Sequence, residues 1–113
     1  MELKKIIDNL QLEVLNKSEM SLSTEITGCY IGDLLSNVMA NAQAGDIWFT
    51  VQTHMNVVAV AQLLNLGGVV FLEGHLPQAD TIEKARKEKL VLLSSNDKAY
   101  ELASSLFKLG LER

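Results

Sequence analysis

The chain has 113 residues, 48% of them hydrophobic and 21% charged, which fits one soluble globular domain able to bury a core without staples. A formal net charge of −4 and a pI near 5.1 argue against a nucleic-acid binder, which needs a basic stripe for the phosphates, and the sparse aromatics argue against a single-strand stacking platform. The one cysteine, Cys29, has no intramolecular partner, as suits a reducing cytosol, and no apolar run approaches the roughly 20 residues of a membrane helix. The opening MELKKIIDNL is amphipathic rather than a signal peptide, so the expectation is a cytoplasmic protein with no membrane partner.

In chain order, Leu3, Ile6, Ile7 and Leu10 fall at helical spacing and predict a short helix over residues 2–9, with Lys4 and Lys5 in water. Leu12, Val14 and Leu15 predict a first strand, closed by a polar run over residues 16–23. A second extended segment is expected over residues 24–31. Asp33 stands where an N-cap would, before the apolar stripe Leu34, Leu35, Val38, Met39 and Ala42.

The centre of the chain reads GDIWFTVQTHMNVVAVAQLLNLGGVVFLEG from Gly45 to Gly74. Its two short runs rich in Val, Ile and aromatics, residues 47–51 and 69–72, are bridged by a helical segment over residues 56–64. That is the pattern of a β-α-β unit with parallel strands. Both strands are apolar nearly throughout, as when a sheet is covered on both faces. Gly67 and Gly68 are expected to serve the helix exit and the entry into the next strand. Leu76-Pro77 is a loop, and Asp80 with Glu83 has capping-box spacing. Ile82 and Ala85 are expected to face inward, with the run 84–89 as a solvated charged face. Residues 90–93 predict the last strand. Asn96 or Asp97 is expected to cap a final helix with Ala99, Leu102, Ala103, Leu106 and Phe107 inward, and Gly110 to end it.

Residues that could carry chemistry are few. There is no G-x-x-x-x-G-K-[ST] phosphate loop, and Gly28 with Gly32 matches no dinucleotide fingerprint. His54 follows one strand at the start of a helix, and His75 follows the next strand; both fall on the carboxyl edge where parallel sheets bind ligands. Turn histidines are the commoner reading, and without H-x-x-x-H or His-Cys spacing no metal is expected. Cys29 has no base beside it and reads as a small packing residue. Asp33, Asp46, Asp80 and Asp97 occupy cap or turn positions.

The segment 56–64 is apolar all round: Val57, Val58, Ala59, Val60, Ala61, Leu63 and Leu64, with only Asn56 and Gln62 polar. Such a helix must be buried on every side. A partner subunit covering it, in a symmetric homodimer with Asn37, Met39, Met55 and Val58 at the interface, is the expectation; cover by the N-terminal helix is the alternative.

With these residues in view the chain resembles the DRTGG domain family and, more broadly, the N-terminal domain of HPr kinase/phosphorylase. The likeness is carried by GDLLSNVMANA (32–42), by QTHMN (52–56) and by the late strand-loop-helix order, and it covers almost the whole chain as a single domain, residues 1–113. The resemblance implies a three-layer α/β/α sandwich with a mostly parallel sheet. It also implies a regulatory or dimer-forming part rather than a catalytic one, since the kinase relative keeps its phosphate loop in a separate domain. The turn Gln52-Thr53-His54-Met55-Asn56 departs from the Asp-Arg-Thr turn of enzyme-fused members. The expected function is a non-catalytic, homodimeric regulatory module that binds a small anionic metabolite or nucleotide and holds no cofactor. The candidate contacts are Thr27, Gly28, Asp33, Gln52, Thr53, His54, Asn56, Glu73, Ser94 and Ser95. The alternatives are a scaffold that binds another protein without a small ligand, and a small enzyme using His54 with Asp33 or Glu73.

Overall fold

The computed structural model describes residues 1–16 and 22–113; most of the polar run expected over 16–23 lies outside the described residues. Five strands form one sheet: β1 (Glu13–Val14), β2 (Gly28–Ile31), β3 (Asp46–Thr50), β4 (Gly68–Phe71) and β5 (Leu92–Ser94), in the order β1-β5-β4-β3-β2. β1 runs antiparallel to β5, and the other pairings are parallel. The helices are α1 (Leu3–Leu10), α2 (Leu35–Asn41), α3 (Asn56–Leu63), α4 (Ala79–Lys87) and α5 (Ala99–Leu109). The architecture is the α/β sandwich expected from the periodicity.

From β2 to β5 every crossover steps the same way across the sheet. Right-handed connections therefore put α2, α3 and α4 together on one face. α1 and α5 cover the other. The strand pleat divides the core accordingly. Ile47, Phe49, Val70 and Leu93 point to α1 and α5, where Leu3, Ile6, Ile7, Leu10, Leu102 and Leu106 meet them. Trp48, Val69, Phe71 and Leu92 point the other way, against Val38, Val57, Val58, Ala61 and Ala85. Strands buried on both faces read as unbroken apolar runs for this reason.

The α3 cylinder is covered mostly by its own chain. Val57, Val58, Val60 and Ala61 are buried, between the sheet and the flanking α2 and α4 rather than under α1, which lies on the opposite face. An outer stripe stays open: Ala59 is exposed and Leu63 is 67% exposed. Val58, expected at an interface, is fully buried in the core and offers no surface.

Several helix ends differ from the sequence reading. Leu34, not Asp33, is the N-cap of α2, and of the expected stripe only Val38 is fully buried, while Leu34 and Met39 stand in solvent. Gln78 is the N-cap of α4; Asp80 bonds the Thr81 N–H, and Glu83 pairs with Arg86 instead of closing a capping box. The N-cap of α5 is Lys98, whose N–H is taken by the Glu101 carboxylate at 3.1 Å, rather than Asn96 or Asp97. Phe107 is 62% exposed rather than inward. The left-handed residue after α3 is Asn65, with φ 56°, so the helix exit does not use Gly67 or Gly68. Gly67 marks a close approach instead: a Cβ there would meet Ile26 Cδ1 at 2.3 Å, so that side chain would have to move. Gly110, with φ 120°, ends α5 as expected.

Candidate functional site

Because β2 to β5 are parallel, their carboxyl ends share one edge. That edge gathers Asp33 beyond β2, the turn Gln52 to Asn56 beyond β3, Glu73 beyond β4, and Ser94 with Ser95 at the end of β5. Thr27 and Gly28 do not belong there. They stand at the amino end of β2, where Gly28 is in register with Asp46 at the start of β3, so the fold places them on the opposite edge from the other candidates.

A hydrogen-bonded relay runs through the β3–α3 turn. Thr50 Oγ1 donates to Asp33 Oδ1 at 2.8 Å, and the Val51 N–H donates to the same oxygen at 2.8 Å. Thr50 Oγ1 accepts the Gln52 N–H at 3.0 Å, Gln52 Oε1 accepts the His54 N–H at 3.2 Å, and His54 Nδ1 accepts the Asn56 N–H at 3.0 Å. The His54 ring thus takes up the first helical N–H of α3, a donor without an intrahelical acceptor. With Nδ1 accepting, a neutral ring carries its proton on Nε2. The Asp33 oxygen that takes these two donors fastens the loop after β2 to the end of β3. Neither Asp33 nor Glu73 is hydrogen-bonded or ion-paired to His54, so the base-and-orienter pair of the enzyme alternative is not assembled.

Two openings lie on this edge. The larger, about 530 Å³, sits between the amino ends of α3 and α4; Gln52, Thr53, His54 and Met55 line one side, and Gln78, Asp80 and Thr81 the other. The smaller, about 310 Å³, runs past Ser94 and Ser95 to Asn96, Asp97 and the α1–β1 turn. Thus the candidates divide between two places, with Gln52, Thr53 and His54 at one and Ser94 with Ser95 at the other. Asp33, Asn56 and Glu73 line neither. The α4 residues Gln78, Asp80 and Thr81 escaped the sequence reading because a carboxylate two residues into a helix looks like a cap. Only the crossover that sets α4 beside α3 brings them to the cavity.

The opposite edge is closed by Arg113. Asp46, 3% exposed, accepts the Gln43 N–H and a guanidinium N–H of Arg113, each at 2.8 Å. Arg113 also bonds Thr27 O, Thr27 Oγ1 and Gln43 Oε1, and its carbonyl accepts the Cys29 N–H on the open side of β2. The space beside Gly28 is thereby filled: a Cβ on Gly28 would lie 2.5 Å from Asp46 Oδ1. The Cys29 thiol is pushed up to about 12, first by burial and then by the Asp46 carboxylate, the opposite of what a nucleophile needs. Among the described residues no group of three His, Cys, Asp or Glu could hold a metal ion, and no helix is long and apolar enough to cross a membrane.

No family model matches the sequence, and no curated protein matches it either. Among solved structures, the chain is similar to the CBS and DRTGG domains of the regulatory region of Clostridium perfringens pyrophosphatase, a structure complexed with the activator diadenosine tetraphosphate. The TM-score is 0.70 at 18% identity, over 93% of this chain and 45% of that one. This chain therefore spans under half the length of that region. At such identity the likeness is one of fold, and it agrees with the DRTGG-like α/β domain that the sequence resembles.

Proposed function

We propose that this chain is a non-catalytic regulatory module that binds a small anionic metabolite or nucleotide on the carboxyl edge of its sheet and acts as a homodimer. The observation that carries the reading is the polar edge itself. Its side chains are spent on holding turns and lining an open cavity, and no nucleophile stands beside a base there. The structural neighbour is a regulatory region crystallised with a nucleotide activator, which supports the regulatory class and makes nucleotides the first ligands to try. The dimer rests on the outer stripe of α3 with Met39 of α2, an apolar surface that a single subunit leaves in water.

A melting-temperature screen of the full chain against nucleotides and small organic anions tests the ligand. Binding to the folded state alone must stabilise it, by about 2.7 kcal/mol at a hundredfold excess over Kd. No shift with any compound at millimolar concentration removes the ligand part and leaves the protein-binding scaffold. In that case the exposed apolar stripe is the working surface.

A further inference from the structure

The cavity between the amino ends of α3 and α4 has a composition that discriminates among ligands. Asp80 is its one carboxylate, and neither Lys nor Arg lines it. A bare phosphate held there would face an anion with no side-chain cation to offset it. A simple cation would find only one carboxylate beside two helix ends that present N–H groups. What remains is a neutral surface rich in donors and acceptors. The N–H groups of Ala79 and Asp80 have no intrahelical acceptor, and no side chain caps them. One Asp80 oxygen takes the Thr81 N–H at 2.8 Å, leaving the other free to accept. Gln78 makes no side-chain hydrogen bond with any described residue and can donate and accept.

Thr81 supplies the independent sign that something is received here. It is 2% exposed, yet its hydroxyl bonds to no described residue, while its N–H is already used. No fully enclosed side-chain polar atom among the described residues lacks a partner, so this hydroxyl is not sealed off, and Thr81 is one of the residues that line the cavity. An almost wholly buried hydroxyl held without a protein partner is an acceptor and donor kept for a ligand or water.

We propose that this cavity binds the nucleoside part of a nucleotide, with the ribose hydroxyl pair on Asp80 and Thr81 and the base against the Met55 thioether, its edge read by Gln78. A carboxylate is the natural acceptor for a vicinal diol, and the half-buried Met55 gives a polarisable wall to a flat ring. At about 530 Å³ the opening falls within the range of small-ligand sites. Any phosphates point out to solvent, away from Asp80. The inference rests on the ligand-binding reading above and specifies which end of the ligand is held.

Isothermal titration of the full chain with adenosine, guanosine, cytidine and uridine, their 5′-monophosphates, their 2′,3′-dideoxy forms, free ribose and inorganic phosphate tests it. At least one nucleoside is expected to bind as tightly as its monophosphate, and about tenfold or more better than its dideoxy form, the loss of a hydrogen bond to a charged group. D80N and T81V each weaken the nucleoside to a similar degree while the melting curve, followed by the buried Trp48, stays in place. Binding of phosphate or a nucleoside monophosphate that ignores the free nucleoside, or that tightens in D80N, overturns the inference while the anionic-ligand reading stands. Equal binding of free ribose overturns it too. Silence from every compound overturns this inference, and the melting-temperature screen with organic anions then decides the anionic-ligand reading separately.

Discussion

Among the described residues Asp46 is the one buried acidic side chain. Its carboxylate is almost fully buried at the amino edge of the sheet, and Arg113 is the only cation it is paired with among the described residues. Removing one member of such a pair strands a charge away from water. Because the Arg113 side chain is itself 43% exposed, R113A is expected to cost a moderate amount, about 1–2 kcal/mol. Urea denaturation followed by Trp48 fluorescence reads it, and the double variant D46N/R113A should lose less than the two single losses added together. Cys29 gives a pH signature. Its ordinary value of 9.0 is raised to about 12 in the folded chain, so between those values the folded state holds a proton that the unfolded state has lost. Stability then falls as pH rises from 9 towards 12; below 9 both states keep the proton and this group adds no slope. In C29A that part of the alkaline decline should flatten. At pH 8 the native thiol should alkylate more than about a hundredfold more slowly than in urea, because raising a thiol's pKa by one lowers its thiolate fraction about tenfold.

At the scale of elements, the turns carry more information than the helices they join. Gly45 has φ 87°, and a Cβ there would lie 2.4 Å from Thr27 Oγ1. Its N–H and carbonyl bind Asn65 and Thr27, so it fastens the exit of α3 to the entry of β2. G45A should cost about 2–3 kcal/mol, combining left-handed strain with a clash against a fixed neighbour. A calorimetric melting temperature that stays within a degree of the parent would contradict this placement. The same scale shows what was readable in the chain. β3, α3 and β4 were legible within a residue or so because unbroken apolar runs flanked by glycine and polar turns have few other uses. The caps were not. Asp33, Asp80 and Asp97 each have the right chemistry at nearly the right place, but an N-cap is defined by backbone angles that the residue type only biases. Asp33 was drawn instead to the end of β3, which is close in space and distant in sequence.

For the whole molecule, the open stripe on α3 is the feature that bears on assembly. Leu63 and Met39 remain in solvent on the face built from α2, α3 and α4. If that surface pairs with a second copy, L63K should convert a dimer to a monomer in light scattering at tens of micromolar. Its melting curve should change only through the lost association, because the side chain packs against little of its own subunit. A parent chain that is already monomeric at that concentration ends the dimer proposal and leaves the domain's ligand chemistry to be judged by itself.

The succession of strands and helices along the chain and the separation of polar turns from apolar runs were set by the chain's own periodicity, since an apolar stretch of given spacing suits one regular form. The grouping of residues was not. Thr27 and Gly28 share their residue types with the turn around His54 but lie at the other end of the parallel strands, and Gln78, Asp80 and Thr81 join His54 only because the crossovers set α4 beside α3. Which side chains face one cavity depends on strand order and connection hand, and those follow from packing distant segments together rather than from any local stretch of sequence.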